Sequence, residues 1–137
     1  MLKSKLIWEE KYSVGVKLID DQHKQMFDTI NELIDLLYSV PTADQVSKII
    51  NDLVAYKKHH FKTEEDLFDK YHYEFKEEHI AKHREFTQKL DILVSQNKGE
   101  TVLLAFGLID FLEDWLIDHL MTEDQKYVSC FKNNNLK

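Results

Sequence analysis

Two histidine spacings in this 137-residue chain carry chemistry. His60 stands four residues before Glu64, and His79 four residues before His83. On a helix such pairs share one face with their side chains about 6 Å apart, close enough to serve one metal ion or two adjacent ones. His23 lies far upstream of these pairs and His119 far downstream. Imidazole and carboxylate donors without thiolate suit iron, manganese or zinc. Five imidazoles and a carboxylate exceed what a single tetrahedral zinc takes, so the donor set points to two metal ions.

Whether these donors meet depends on the elements that carry them. Four stretches place apolar residues at helical spacing. The first runs through Ile19, His23, Met26, Phe27, Ile30, Leu33, Ile34 and Leu37 and must stop before Pro41. The second, from about Asp44 to Tyr71, has Val46, Ile49, Ile50, Leu53, His60, Glu64, Leu67 and Phe68 on one face. The third carries Phe75, His79, His83, Phe86, Leu90 and Leu93 and ends near Gly99, which supplies a left-handed cap. The fourth, from Glu100, is apolar nearly all round as far as Leu120 and should be the most buried. Thr122 and Gln125 in TEDQ match a capping box, predicting a kink and a last short helix through Phe131.

Short connections favour antiparallel neighbours, which predicts an all-α, up-down-up-down four-helix bundle over residues 19–121. An N-terminal arm, 1–18, should lay Trp8, Tyr12 and Val14 on the bundle, and 122–137 should form a C-terminal segment of the same single domain. In that topology His23, His60, Glu64, His79, His83 and His119 all lie toward one end of the bundle. Burying five imidazoles and a carboxylate with no metal would cost several kcal/mol of desolvation, so the joint pattern favours a metal centre. Asp124 becomes a second bridging carboxylate if the kink at Thr122 swings it inward. Glu65, Asp118 and Glu123 read as solvated charges, as do His59 and His72 as solvent-facing histidines.

Composition narrows the partners. Eighteen basic against 25 acidic residues give a net charge of −7, which repels phosphate backbones and anionic lipid, so neither nucleic acid nor a membrane surface is expected. The longest apolar run, VLLAFGLI, is too short to span a bilayer, and MLKSKLIWEEK lacks the apolar core of a signal peptide, which predicts a cytoplasmic protein without membrane insertion. The lone Cys130 reads as structural or incidental. The ferritin-like di-iron enzymes use Glu-x-x-His pairs, and none occurs here. A histidine-rich centre has less negative charge to stabilise high-valent iron, which argues for binding dioxygen over oxidising a substrate.

The stretches YSVGVKLIDDQHKQMF, HHFKTEEDLF, HIAKHREF and WLIDHLMTEDQKY together resemble the hemerythrin family, specifically its single-domain bacterial branch, over nearly the whole chain. The resemblance implies a non-heme centre of two iron ions (Fe2+/Fe3+) with an oxo or hydroxo bridge. His79, His83 and His119 would bind one iron, His23 and His60 the other, and Glu64 and Asp124 would bridge them. The iron with fewer protein ligands would keep an open position for dioxygen, bound reversibly and without net turnover. Its apolar pocket would come from the neighbours of the ligands: Met26 and Phe27 beside His23, Phe61 beside His60, and Trp115, Leu116 and Leu120 beside His119. Tyr127 matches a family tyrosine and would steady Asp124. The family often places proline in the second turn, where this chain reads YHYEFKEEH.

Three functional classes remain open at this point. Reversible dioxygen binding would serve storage, delivery to an oxygen-using enzyme, or sensing. A di-iron oxidoreductase on the same scaffold would consume peroxide or nitric oxide. A gas or redox sensory module would act through a separate signalling partner.

Overall fold

The computed structural model describes residues 4–137, and every regular element among them is helical. A 3-10 turn at Glu10–Tyr12 precedes α1 (Lys17–Tyr38), α2 (Ala43–Lys70), α3 (Lys76–Gln96) and α4 (Thr101–Met121). A second 3-10 turn, Asp124–Tyr127, then leads into α5 (Val128–Asn133). Helix α1 packs against α2 and α4, and α3 packs against the same two, so the four long helices close into the predicted ring. At 1.5 Å rise per residue the 28 residues of α2 reach about 42 Å, which makes it the long spine of the bundle.

Local chemistry sets the ends. Pro41 follows the α1 C-cap, and Thr42 opens α2 with a capping box: its hydroxyl accepts from Gln45 N, while the Gln45 side chain accepts from Thr42 N. The reciprocal pair stabilises the helix start by about 1 kcal/mol. Helix α2 ends in a Schellman turn, with His72 in the left-handed region at φ 53° and Tyr73 N donating back to Phe68 O at 2.9 Å. This turn needs no proline, because His72 itself reverses the chain. Gly99, at φ +80°, serves the next connection as expected.

Two expectations about α4 need correction. Val102, Leu103 and Phe106 are exposed, so the helix is not buried all round. A corner helix needs only the face toward its two neighbours, and the rest of its apolar surface stays outside. Thr122 is not an N-cap either: its hydroxyl donates to Asp118 O at the end of α4, and the restart comes as the 3-10 turn. Phe75, read as part of the α3 stripe, stands exposed at the helix start.

The core falls into two parts. The larger fills the bundle interior from Tyr12 and Met26 to Leu116 and Leu120. The smaller gathers Val14, Val16, Ile19, Phe68, Tyr73, Tyr127 and Phe131 beneath the C-terminal segment. From residue 4 on, the N-terminal segment is held on the bundle: Trp8 packs edge-on to Phe27, and the Asn31 side chain both accepts from Leu6 N and donates to Leu6 O. Among the described residues no helix is long and apolar enough to cross a membrane.

Candidate metal centre

The histidines occupy a polar layer between the two cores. His23, His60, Glu64, His79, His83, His119 and Asp124 are each at most 4 % exposed, although they come from α1, α2, α3, α4 and the turn after it. Phe68 meets His79 edge-on from the smaller core, while Phe61 and Trp115 stack on His83 and His119 from the larger one. Sequence reasoning set Phe61 beside His60. The structure keeps the two rings in contact, with centroids 6.1 Å apart, and also lays Phe61 flat on His83 at 3.7 Å. Met26, Phe27, Leu116 and Leu120 are core residues, and Trp115 is half-buried against that core.

Donor atoms converge in two groups. Glu64, His79, His83 and His119 offer atoms within 4.8 Å of one another, and so do His23, His60 and Glu64. Glu64 belongs to both groups. Its Oε1 lies 3.2 Å from His60 Nε2 and 3.3 Å from His83 Nε2. Asp124 spans the same gap with its two oxygens: Oδ1 is 3.2 Å from His79 and 3.1 Å from His119, and Oδ2 is 3.2 Å from His23. The inward swing after α4 therefore does occur.

The tautomers can be read from the outer partners. His60 Nδ1 lies 2.6 Å from Gln22 Oε1, and an amide oxygen only accepts, so Nδ1 carries the proton and Nε2 faces inward as a lone pair. Gln22 is itself oriented by donating to Thr63 Oγ1 at 3.1 Å. His83 Nδ1 meets Glu65 Oε2 at 2.8 Å with the same consequence. Glu65 is thus an orienting carboxylate, not the solvated charge its sequence position suggested. Tyr127 corrects another expectation, since its hydroxyl donates to Glu64 Oε2 at 2.6 Å and not to Asp124. Asp118 is exposed, and Glu123 pairs with Lys126. His59 and His72 face solvent as expected.

The electrostatics follow from burial opposed by partners. Burial would raise Glu64, but the neighbouring His60, together with close polar contacts from His79 and His83, outweighs it and holds the carboxyl well below the usual range. Burial and Glu64 would both raise Asp124, yet His119 and His23 hold it far down. Burial alone would lower His79, but the adjacent carboxylates of Asp124 and Glu64 push it up to about 9, and His83 is raised by Glu64 and Glu65. His60 goes the other way, lowered by burial. In the metal-free cluster the two carboxylates are anions and His79 holds a proton that a metal ion would displace. Glu64 Oε1, both oxygens of Asp124 and His83 Nε2 are buried without a hydrogen-bond partner, a combination that metal ions satisfy and further packing does not.

A family model described as the hemerythrin HHE cation binding domain matches residues 14–131. The chain belongs to the hemerythrin family. It is 30 % identical over 130 residues to a bacteriohemerythrin of Pseudomonas aeruginosa, covering 94 % of this chain and 83 % of the relative. It is 25 % identical over 126 residues to the bacteriohemerythrin of Clostridium acetobutylicum, covering 89 % of this chain and 98 % of that one. A myohemerythrin of Sipunculus nudus is 31 % identical over 121 residues, with 88 % of this chain and 89 % of the relative covered. Gln22 and Glu65 are the residues bonded to the histidine cluster that sequence reasoning missed. Glu65 adjoins a ligand candidate, and Gln22 precedes one, but nothing local signals that each reaches a histidine on another helix.

Proposed function

We propose that the chain binds dioxygen reversibly at two iron ions, one held by His79, His83 and His119 and the other by His23 and His60, with Glu64 and Asp124 reaching both. The observation that carries this reading is the division of the buried donors into a three-histidine and a two-histidine group that share Glu64. Unequal ligand number leaves the two-histidine position short of a protein donor, which gives a small exogenous molecule a place to bind. Ferrous iron, when bound, supplies the electrons that a reversible dioxygen adduct requires.

The protein's own residues position, insulate and hold protons. Gln22 and Glu65 fix the His60 and His83 rings with Nε2 inward, which strengthens these donors and prevents ring rotation. Tyr127 occupies Glu64 Oε2 and leaves Oε1 between the two groups. Phe61, Phe68 and Trp115 cover the histidine rings with apolar surface and exclude water, which would otherwise favour irreversible oxidation of the metal. Tyr127 is the one buried hydroxyl touching the cluster among the described residues. Burial, followed by Asp124 and Glu64, raises it well above the usual phenol range, so it keeps its proton. A centre without a spare acid suits binding better than turnover.

The test is an optical spectrum of protein loaded with ferrous iron under nitrogen, exposed to air, then returned to nitrogen. A ligand-to-iron charge-transfer band that appears in air and fades under nitrogen is the expected result. Direct passage to a stable ferric spectrum would remove the support for reversible binding.

A further inference from the structure

A groove of about 660 Å³ lies between α2 and α3, on the outer side of His83. Its volume falls within the roughly 300–1,000 Å³ typical of small-molecule sites. Lys57 lines it and is only 5 % exposed. The Lys57 ammonium donates to Thr87 Oγ1 at 2.9 Å, and Thr87 gives its own proton to His83 O at 3.1 Å. An ammonium has three donors, so two remain for a ligand. Burial pushes Lys57 below the usual lysine range, and Asp91 opposes this only from a distance. A partly desolvated cation in this position gains from an anion placed beside it.

The rest of the groove reinforces the charge. Lys58, Lys62 and Arg84 also line it. Its two carboxylates are already engaged, Asp66 by Lys62 at 2.8 Å and Glu65 by His83 Nδ1 at 2.8 Å. With Lys62 and Asp66 cancelling, Lys57, Lys58 and Arg84 outweigh Glu65, so a chain of net charge −7 keeps a net positive charge in this concavity. Phe61 and Ile80 add an apolar wall beside those cations.

We propose that this groove binds a phosphate-type oxyanion, free or carried on a small apolar-bodied metabolite, with Lys57 as the fixed cation inside and Lys58 and Arg84 as the mobile ones at the rim. The oxyanion takes the two unused Lys57 donors, Arg84 closes over it with its planar fork, and any apolar body lies against Phe61 and Ile80. The argument is independent of what occupies the histidine layer.

The full-length chain would be titrated with sodium phosphate, and separately with phenyl phosphate, at constant ionic strength, following the NMR shifts of the Lys57 and Thr87 side chains. Saturable one-to-one binding is expected, weakened about tenfold by Arg84→Gln or Lys58→Gln and abolished by Lys57→Met. Phenyl phosphate binding at least about tenfold tighter than phosphate assigns the site to a phosphorylated metabolite, and equal affinities assign it to the free anion. Shifts that never saturate, that chloride reproduces, or that survive both Lys57→Met and the surface change Arg84→Gln would overturn the proposal.

Discussion

At the scale of single residues, the centre depends on contacts one step removed from the converging donors. Gln22 and Glu65 touch no donor group of the opposite half; each acts by setting a tautomer. Removing such a partner typically lowers metal affinity about 10–100-fold. Gln22→Leu and Glu65→Leu should each show a loss of that size in competition against a chelator, with helicity unchanged by circular dichroism. Tyr127→Phe acts differently, since it strips the one hydrogen bond that a buried carboxylate oxygen receives among the described residues. Leaving that oxygen unsatisfied should cost about 1–3 kcal/mol of stability, measured by urea unfolding of the metal-free protein.

At the scale of elements, the turns record how local chemistry decides where a helix stops. His72 holds a left-handed conformation that glycine adopts without steric conflict. His72→Gly should raise the unfolding free energy by about 0.5–1 kcal/mol in urea titrations, because the strain it relieves exceeds the added freedom of the unfolded chain. The four long helices were legible in the sequence because their apolar residues recur at helical spacing, and the histidines on those stripes marked where the polar layer would lie. What was not legible depended on side-chain direction between helices. Phe61 faces His83, Tyr127 faces Glu64, and Gln22 reaches across to a residue 38 positions away. TEDQ and TADQ show the same limit from the other side. The spacing is the same, yet Thr42 caps and Thr122 does not, because Thr122 follows a helix that its hydroxyl still serves.

At the scale of the whole molecule, a polar layer held between two apolar cores makes stability depend on charge balance. In the metal-free protein His79 is raised from 6.5 to about 9, so its contribution is complete below pH 6.5 and is lost as pH rises through about 9. His60 is lowered from 6.5, so acid opposes the fold through it below that pH. Glu64 and Asp124 lie below 4.5 and 3.8, so their contribution is present above those values and lost on strong acidification. Thermal unfolding of chelator-treated protein should therefore show a maximum near pH 6.5 and a falling midpoint toward pH 9. Metal loading should flatten that alkaline fall, because ions displace the protons on which His79 depends.

Asp124, Tyr127 and Phe131 all lie beyond the last long helix, yet one supplies a spanning carboxylate, one holds Glu64, and one seals the smaller core. While the chain is being synthesised, its first four helices emerge from the ribosome before these residues do. A nascent bundle of that length already displays all five inward histidines but neither the second carboxylate nor the seal. Until these last residues have folded back, the histidine cluster lies open to water and lacks its second carboxylate.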